Sequence, residues 1–440
     1  MTIQETKKLC IIGAGASGLV MGAKLIESGI DFTIFEQSNE IGGTWDYKDT
    51  TKTNDQLIRD CFPNYNSQNK SFFTIDEDSK NILSAVYPTL TTNLPAELMA
   101  FRDFDFPKST PMFPSHQSVF QYLKDYAAFK SLYQKIQLNT QVISVVLDPV
   151  GQVDSWVVTI MEPQHSTTKT LRFDGVIICN GHFAYPNIPT INGIKNFPKP
   201  ISHSQTYRHP ENYKDKNVLV LGASYSGRDI VRELSSVCKK VYLCIRQDEK
   251  RTIPTRCNEN TITLLPEIID FHGNGMIECK DGSIIDDVDE IIFATGYLYK
   301  YPFMEYRYGI KGNGETTDGM NVHDLHLHLM DIDHPTLSFM GLPRSVVPFH
   351  LFEYQAEFLT AFFLEKLKLP SKLEMKRIAL DGITGFTPSS SSSIHQFGNP
   401  NEFTYCDYLA SLYGGPSVPQ WRRSLRDNLV SLYNKFHGIE

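Results

Sequence analysis

Two short turns in this sequence have the residue types and spacing to hold a pyrophosphate: Gly13-Ala14-Gly15-Ala16-Ser17-Gly18 and Gly222-Ala223-Ser224-Tyr225-Ser226-Gly227. Glycine lets the chain turn tightly and lets backbone N–H groups at the positive end of a helix approach a phosphate that a Cβ would fend off. The unit built on the first turn ends in Glu36, a carboxylate placed to accept hydrogen bonds from ribose hydroxyls and to repel a 2′-phosphate. The unit built on the second ends in Arg246, whose guanidinium suits a 2′-phosphate. The first turn therefore fits an adenosine with a free ribose, as in FAD or NAD. The second fits NADPH, with Ser224 in place of the middle glycine.

Such turns work only between a strand and a helix, and the flanking residues supply both. Leu9 to Ile12 reads as a buried strand, Leu19 to Ser28 as a helix stopped by Gly29, and Asp31 to Phe35 as the next strand. The second unit repeats the order with Val218 to Leu221, a helical stripe of Ile230, Val231 and Leu234, and Val241 to Ile245. This predicts an α/β protein of two dinucleotide-binding, Rossmann-like domains. Between the units, Gln141 to Met161 reads as a β-meander and Leu171 to Gly181 as one buried strand ending in a glycine turn, a form that Asp289 to Gly296 repeats. The small-residue turns Asn180-Gly181 and Thr295-Gly296 mark where the chain leaves the first domain and returns. The second domain, residues 183–293, is thus expected to be nested in the first, residues 1–182 and 294–440.

Composition narrows the function classes. A chain of 440 residues with 41% hydrophobic content is too apolar for disorder, and a net charge of −8 without a basic block argues against nucleic acid or an anionic membrane as the main partner. Small molecules are the expected partners. The 8 cysteines are scattered with no C-x-x-C pair, which suggests neither a zinc site nor a redox dithiol and fits buried thiols in a reducing compartment. Lys7-Lys8 and the apolar run after them resemble a secretory leader, but cleavage there would remove the first turn. Phe349 to Leu369 carries Glu353, Glu357 and Glu365, which a spanning helix would not bury. A cytoplasmic protein without a transmembrane segment is expected, and the sequence does not specify its oligomeric state. The histidines between Leu325 and Pro335 read as part of an exposed strand or loop, so no metal is expected; Ser389 to Ser393 reads as a flexible surface loop.

Several stretches together resemble the flavin-containing monooxygenases, short soluble type, over nearly the whole chain: "GAGASGL", "FEQSNEIGGTW", "TNLPAELMAF" from Thr92, "GASYSGRDI" and "FATGY". The family's identifying stretch, F-x-G-x-x-x-H-x-x-x-(Y/F), is matched at Phe197, His203 and Tyr207, with Lys199 where the family carries glycine. The resemblance implies FAD on the first domain and NADPH on the second. NADPH would reduce the flavin, dioxygen would add to give a C4a-hydroperoxyflavin, and a nitrogen or sulfur lone pair would take its distal oxygen. Asn93 matches the asparagine that in this family lies over the flavin, where its amide can both donate and accept. On this resemblance Gly43, Thr44 and Trp45 are expected beside the flavin, with Trp45 packing near it; Gly222, Ser224, Tyr225, Ser226, Gly227 and Arg246 are expected to hold NADPH, and Thr295 and Gly296 to complete the cofactor-binding set. His182 and His203 are expected to be structural or hinge residues, because flavin oxygenation needs no strong side-chain base.

Two alternatives share parts of this pattern. A Baeyer–Villiger ketone monooxygenase usually continues the identifying stretch with tryptophan and then proline or aspartate, whereas here Tyr207 is followed by Arg208. A non-catalytic nucleotide-binding redox sensor would keep both turns without needing an oxygenation site.

Overall fold

The computed structural model describes residues 7–48, 84–148, 154–162, 167–245, 257–310, 313–383 and 393–436. The chain forms two compact units. The first comprises Met1–Asp46, Leu90–His182 and Tyr299–Asn434; the second comprises Tyr47–Thr89, Phe183–Leu298 and Lys435–Glu440.

The first unit is built on a 7-stranded sheet. Within it the strand Lys8–Ile12 pairs in parallel with Asp31–Phe35 on one side and the central strand Gly175–Ile178 on the other. Leu337–Phe339 extends the sheet beyond Gly175–Ile178, and Ile136–Gln137 beyond Asp31–Phe35. Both faces are covered. Leu9 and Ile11 belong to a core that includes residues of the helices Ala16–Ser28 and Pro348–Phe363, while Cys10 and Ile12 pack in a second core with Val142, Trp156 and Phe173 of the meander. A strand buried on both sides must be apolar at successive positions rather than alternate ones, which is why "LCII" carries no polar residue.

Two local expectations change. The stretch from Leu171 to Gly181 is not one strand: Thr167–Phe173 is the last strand of the meander and Gly175–Ile178 enters the main sheet. Asp174 sits at the joint, where its carboxylate accepts the backbone N–H of Lys8 at 2.7 Å and its own N–H donates to the Lys8 carbonyl at 2.9 Å. The histidine-containing segment after Asp324 is buried rather than exposed. Leu325–His326 and Met330–Asp331 form a short antiparallel hairpin at the sheet edge, and Leu325, Leu327 and Leu329 lodge in the two cores of this unit.

The second unit carries a 5-stranded sheet with the order Ile262–Leu265, Lys240–Cys244, Asn217–Leu221, Glu290–Phe293 and Ile201–His203, each neighbour parallel. The helix Tyr225–Leu234 buries Gly227, Ile230, Val231 and Leu234. The stripe at i, i+3 and i+4 spacing is the one the sequence predicts. Among the described residues, no helix is long and apolar enough to cross a membrane.

Candidate active site

In the first unit, local strand–turn–helix geometry brings three expected groups together: the glycine turn, Glu36 and the Gly43–Trp45 turn. Gly13 has φ +103, and a Cβ there would stand 2.6 Å from the Cys179 carbonyl oxygen; a Cβ on Gly18 would overlap the Gly13 carbonyl. These two glycines are therefore required by the protein itself. Gly15 differs: a Cβ there would meet only Gly43 Cα, at an ordinary 3.7 Å. Gly15 is also the N-cap of the helix Ala16–Ser28, with no side-chain capping bond and no acidic residue in the first turn. The backbone donors of Ala16, Ser17 and Gly18 at that end are the kind of orphan groups an anion satisfies.

Glu36 closes this cradle. It is buried, its Oε2 accepts from the Ala14 N–H at 2.8 Å, and its Oε1 accepts from Ser38 N–H at 2.9 Å and Ser38 Oγ at 2.8 Å. A carboxylate offers about four lone-pair sites. With three taken, it is held in one orientation and retains capacity for a ribose hydroxyl. Ser38, which does much of the holding, was not singled out from sequence; a serine two residues beyond a strand-ending acid is the signal that could have found it.

The glycine pair after Glu36 joins the same turn. Gly42 N–H donates to the Ala14 carbonyl at 2.9 Å, and Gly43, at φ +57, would place a Cβ 3.1 Å from Gly15 Cα. Gly43–Trp45 then forms a single 3-10 turn that includes Thr44. Trp45 meets the ring of Phe349 edge-on with centroids 6.4 Å apart, and Phe349 stacks on Phe101 at 5.2 Å. Asn93 lies in a bend whose backbone is pinned on both sides: Thr92 N–H donates to the Pro114 carbonyl at 2.9 Å, and Thr92 Oγ1 donates to the Leu94 carbonyl at 2.7 Å. Asn93 itself is exposed, while its neighbour Leu94 belongs to the core against which Trp45 packs.

The second unit repeats the architecture. Gly222 has φ +106 with a Cβ position that overlaps the Ala294 carbonyl, and a Cβ on Gly227 would overlap the Gly222 carbonyl. Ser224 takes the N-cap place of Gly15, again without a side-chain capping bond, and Ser224, Tyr225 and Ser226 are exposed around the helix start. Ser224 keeps an extended φ of −78, so serine satisfies the backbone here as well as glycine would. Arg246 lies outside the described residues. Arg228 is a cation the sequence reading passed over: its Nε donates to the Ala223 carbonyl at 2.7 Å, which fixes a guanidinium against the turn. Thr295 and Gly296 are fastened to Asn187, whose N–H donates to the Gly296 carbonyl at 2.9 Å and whose carbonyl accepts the Thr295 hydroxyl.

The identifying stretch is structural in this unit. His203 ends a sheet strand, is buried, and accepts the Gln205 N–H on Nδ1 at 3.1 Å, which leaves Nε2 as the protonated nitrogen. Burial pushes it down to about 3, so it is neutral near pH 7 and not a poised base. His182, in the first unit, is pushed to about 3 by burial and then by the Arg344 guanidinium. Tyr207 is buried and donates its hydroxyl to Glu233 Oε2 at 2.6 Å. Lys199 is exposed and is not among the residues at positive φ, so lysine in the glycine's place imposes no backbone strain. Among the described residues, no group of three or more His, Cys, Asp or Glu side chains is arranged to hold a metal ion.

A family model described as flavin-binding monooxygenase-like matches residues 54–251 and 247–412, and one for an NAD(P)-binding Rossmann-like domain matches residues 11–72. The chain is similar to flavin-containing monooxygenase FMO GS-OX-like 4 of Arabidopsis thaliana, 31% identical over 95% of this chain and 89% of that protein. It is also similar to FMO GS-OX4 of the same plant, 31% identical over 95% of this chain and 87% of that one. Among solved structures, S-allyl-L-cysteine S-oxygenase from Allium sativum matches with a TM-score of 0.81 and 30% identity, covering 99% of this chain and 94% of its own. Cyclohexanone monooxygenase from Rhodococcus, with a TM-score of 0.60 and 13% identity over 93% of this chain and 97% of its own, shares the fold alone.

Proposed function

Because the chain belongs to the flavin-containing monooxygenases, which use FAD and NADPH, we propose that it oxygenates the sulfur of a small thioether, with FAD on the first unit and NADPH on the second. The observation that carries the choice of sulfur is the likeness, across 99% of the chain, to a protein named as an S-oxygenase. The overall reaction balances as thioether, dioxygen, NADPH and a proton giving sulfoxide, NADP⁺ and water.

Bound FAD supplies the reduction and activation of dioxygen, chemistry no side chain can provide. The tasks left to the polypeptide are holding, orienting and excluding water. The Gly13–Gly18 turn, with Ala16 and Ser17 at the helix start, fits the pyrophosphate of FAD, and Glu36 fits its ribose. The room left at Gly15, where a Cβ would meet only Gly43 Cα at an ordinary 3.7 Å, is the observation that supports a phosphate there. Gly43, Thr44 and Trp45 continue that cradle. Gly222, Ser224, Tyr225, Ser226, Gly227, Thr295 and Gly296 are assigned to NADPH, with Arg246 reading its 2′-phosphate. The Asn93 amide, able to donate and accept, is assigned to orienting the reacting ends of the cofactors and limiting the escape of reduced oxygen. The buried thiols Cys10, Cys179, Cys279 and Cys406 support a reducing, cytoplasmic setting.

The test is NADPH consumption by the flavin-loaded protein with an alkyl cysteine thioether against a tertiary amine, with products identified by mass. Sulfoxide formed in near-equal amount to NADPH consumed supports the reading. Preferential N-oxide formation, or NADPH consumption giving only hydrogen peroxide with every thioether, overturns it.

A further inference from the structure

The segment Ser84–Thr89 precedes the bend of Asn93 and clusters with the second unit, whereas Leu90 onward belongs to the first. It is fastened there by two side chains that no cofactor assignment uses. Tyr87 is buried and donates its hydroxyl to Asp229 Oδ2 at 3.1 Å; Thr89 donates its hydroxyl to Glu233 Oε1. Asp229 and Glu233 lie one turn apart on the helix Tyr225–Leu234, so both acceptors face the same side. This is the helix whose first turn is assigned to the NADPH pyrophosphate.

The fastening is stiff and built into the identifying stretch. Glu233 gives its other oxygen to Tyr207, and the Tyr207 ring meets Tyr87 edge-on with centroids 5.6 Å apart. Asp229 is held in turn by Arg232 at 2.7 Å. Pro88 lies between the two clasping residues, which fixes its own φ and keeps Tyr87 extended. Only three residues, Leu90, Thr91 and Thr92, lie between Thr89 and Asn93, too short and too pinned a run to absorb much displacement at its start.

We propose that Tyr87 and Thr89 are positioning residues: their hydroxyls tie the backbone leading into Asn93 to the helix that holds NADPH, so that dinucleotide binding sets the Asn93 bend. The inference rests on the assignment of NADPH to that helix and of a cofactor-orienting role to Asn93. A purely structural role for Tyr87 would stabilise the second unit without making the bend respond to the dinucleotide.

The experiment is hydrogen–deuterium exchange on the flavin-loaded full-length protein, with and without NADP⁺, for the parent, the double variant Tyr87→Phe/Thr89→Val and the conservative variant Thr89→Ser. In the parent and in Thr89→Ser, NADP⁺ slows exchange both over residues 225–234 and over residues 90–94. In the double variant, protection of the helix is kept while exchange over the bend is faster by roughly fivefold for each hydrogen bond lost, and the ratio of product to NADPH consumed falls at unchanged flavin content. If the double variant does not fold, Thr89→Val alone and Tyr87→Phe alone give the same reading. Protection of residues 90–94 that persists in the variants, or that NADP⁺ never confers on the parent, overturns the inference. An Asn93→Ala variant that stays fully coupled sinks the role given to Asn93, while the exchange result still decides the tether. Failure of NADP⁺ to protect residues 225–234 sinks the NADPH assignment and the tether with it.

Discussion

The backbone N–H of Ala14 donates to Oε2 of Glu36 at 2.8 Å, in a buried position, so the glycine turn and the acid that ends the second strand are one hydrogen-bonded piece. Glu36→Ala would leave the Ala14 donor unpaired and remove the ribose partner together. A hydrogen bond to a charged group contributes about 1.5–3 kcal/mol, so the dissociation constant for FAD should rise by roughly ten- to a hundredfold. Flavin titration of the stripped protein measures this. Unchanged flavin affinity would show that the carboxylate is only a structural tie.

Gly13 and Gly15 should separate folding from flavin binding. Gly13→Ala forces a Cβ onto a residue at φ +103 and to 2.6 Å from a backbone carbonyl, and should lower the melting temperature or prevent folding. Gly15→Val meets only Gly43 Cα at 3.7 Å from its Cβ and should fold, yet purify without yellow colour because its branches occupy the phosphate's place. A flavin-loaded Gly15→Val protein contradicts the assignment.

Coenzyme choice should rest on Arg246. Arg246→Ala should raise the Michaelis constant for NADPH by about ten- to a hundredfold, the worth of one guanidinium–phosphate contact, and leave NADH nearly unaffected. Steady-state kinetics with both coenzymes decides it; equal weakening points instead to a general loss of the site.

Asn93→Ala should keep FAD, since the Glu36 contacts are untouched, but spill reducing equivalents. Loss of a positioned hydrogen bond in a water-excluded site costs about 2.7–4 kcal/mol, enough to divert most turnover to hydrogen peroxide. The ratio of sulfoxide to peroxide at equal flavin content is the measurement, and unchanged coupling would make Asn93 a turn residue.

Acid should weaken the fold through His203. Its ordinary value is 6.5 and burial lowers it to about 3, so as pH falls below 6.5 the unfolded chain takes up a proton that the folded chain refuses. Stability from this group is complete above 6.5 and is lost going down toward 3. Between about pH 7.5 and 5.5 the loss is about 1.4 kcal/mol. His203→Asn should lose about that much less between the same pH values in urea unfolding. An identical loss in both proteins would place the acid sensitivity elsewhere.

What the sequence determined by itself was everything carried by neighbours along the chain. A glycine turn between an apolar strand and an amphipathic helix needs only contiguous residues, so both strand–turn–helix units, the strand-ending Glu36 and the family resemblance were legible without coordinates. Contacts between residues far apart in the chain emerge only once it is folded. Gly43 lies against Gly15, and Gly42 donates to Ala14, because two separate turns fold onto one strand end. Asp174 splits an apolar run into two strands because Lys8 lies opposite it, and His326 is buried because the neighbouring leucines fill the cores on either side of the sheet. Tyr87 and Thr89 carry no motif at all. Their clasp on Asp229 and Glu233 joins positions more than a hundred residues apart, and periodicity reports which face of an element is buried but not which distant side chain meets it.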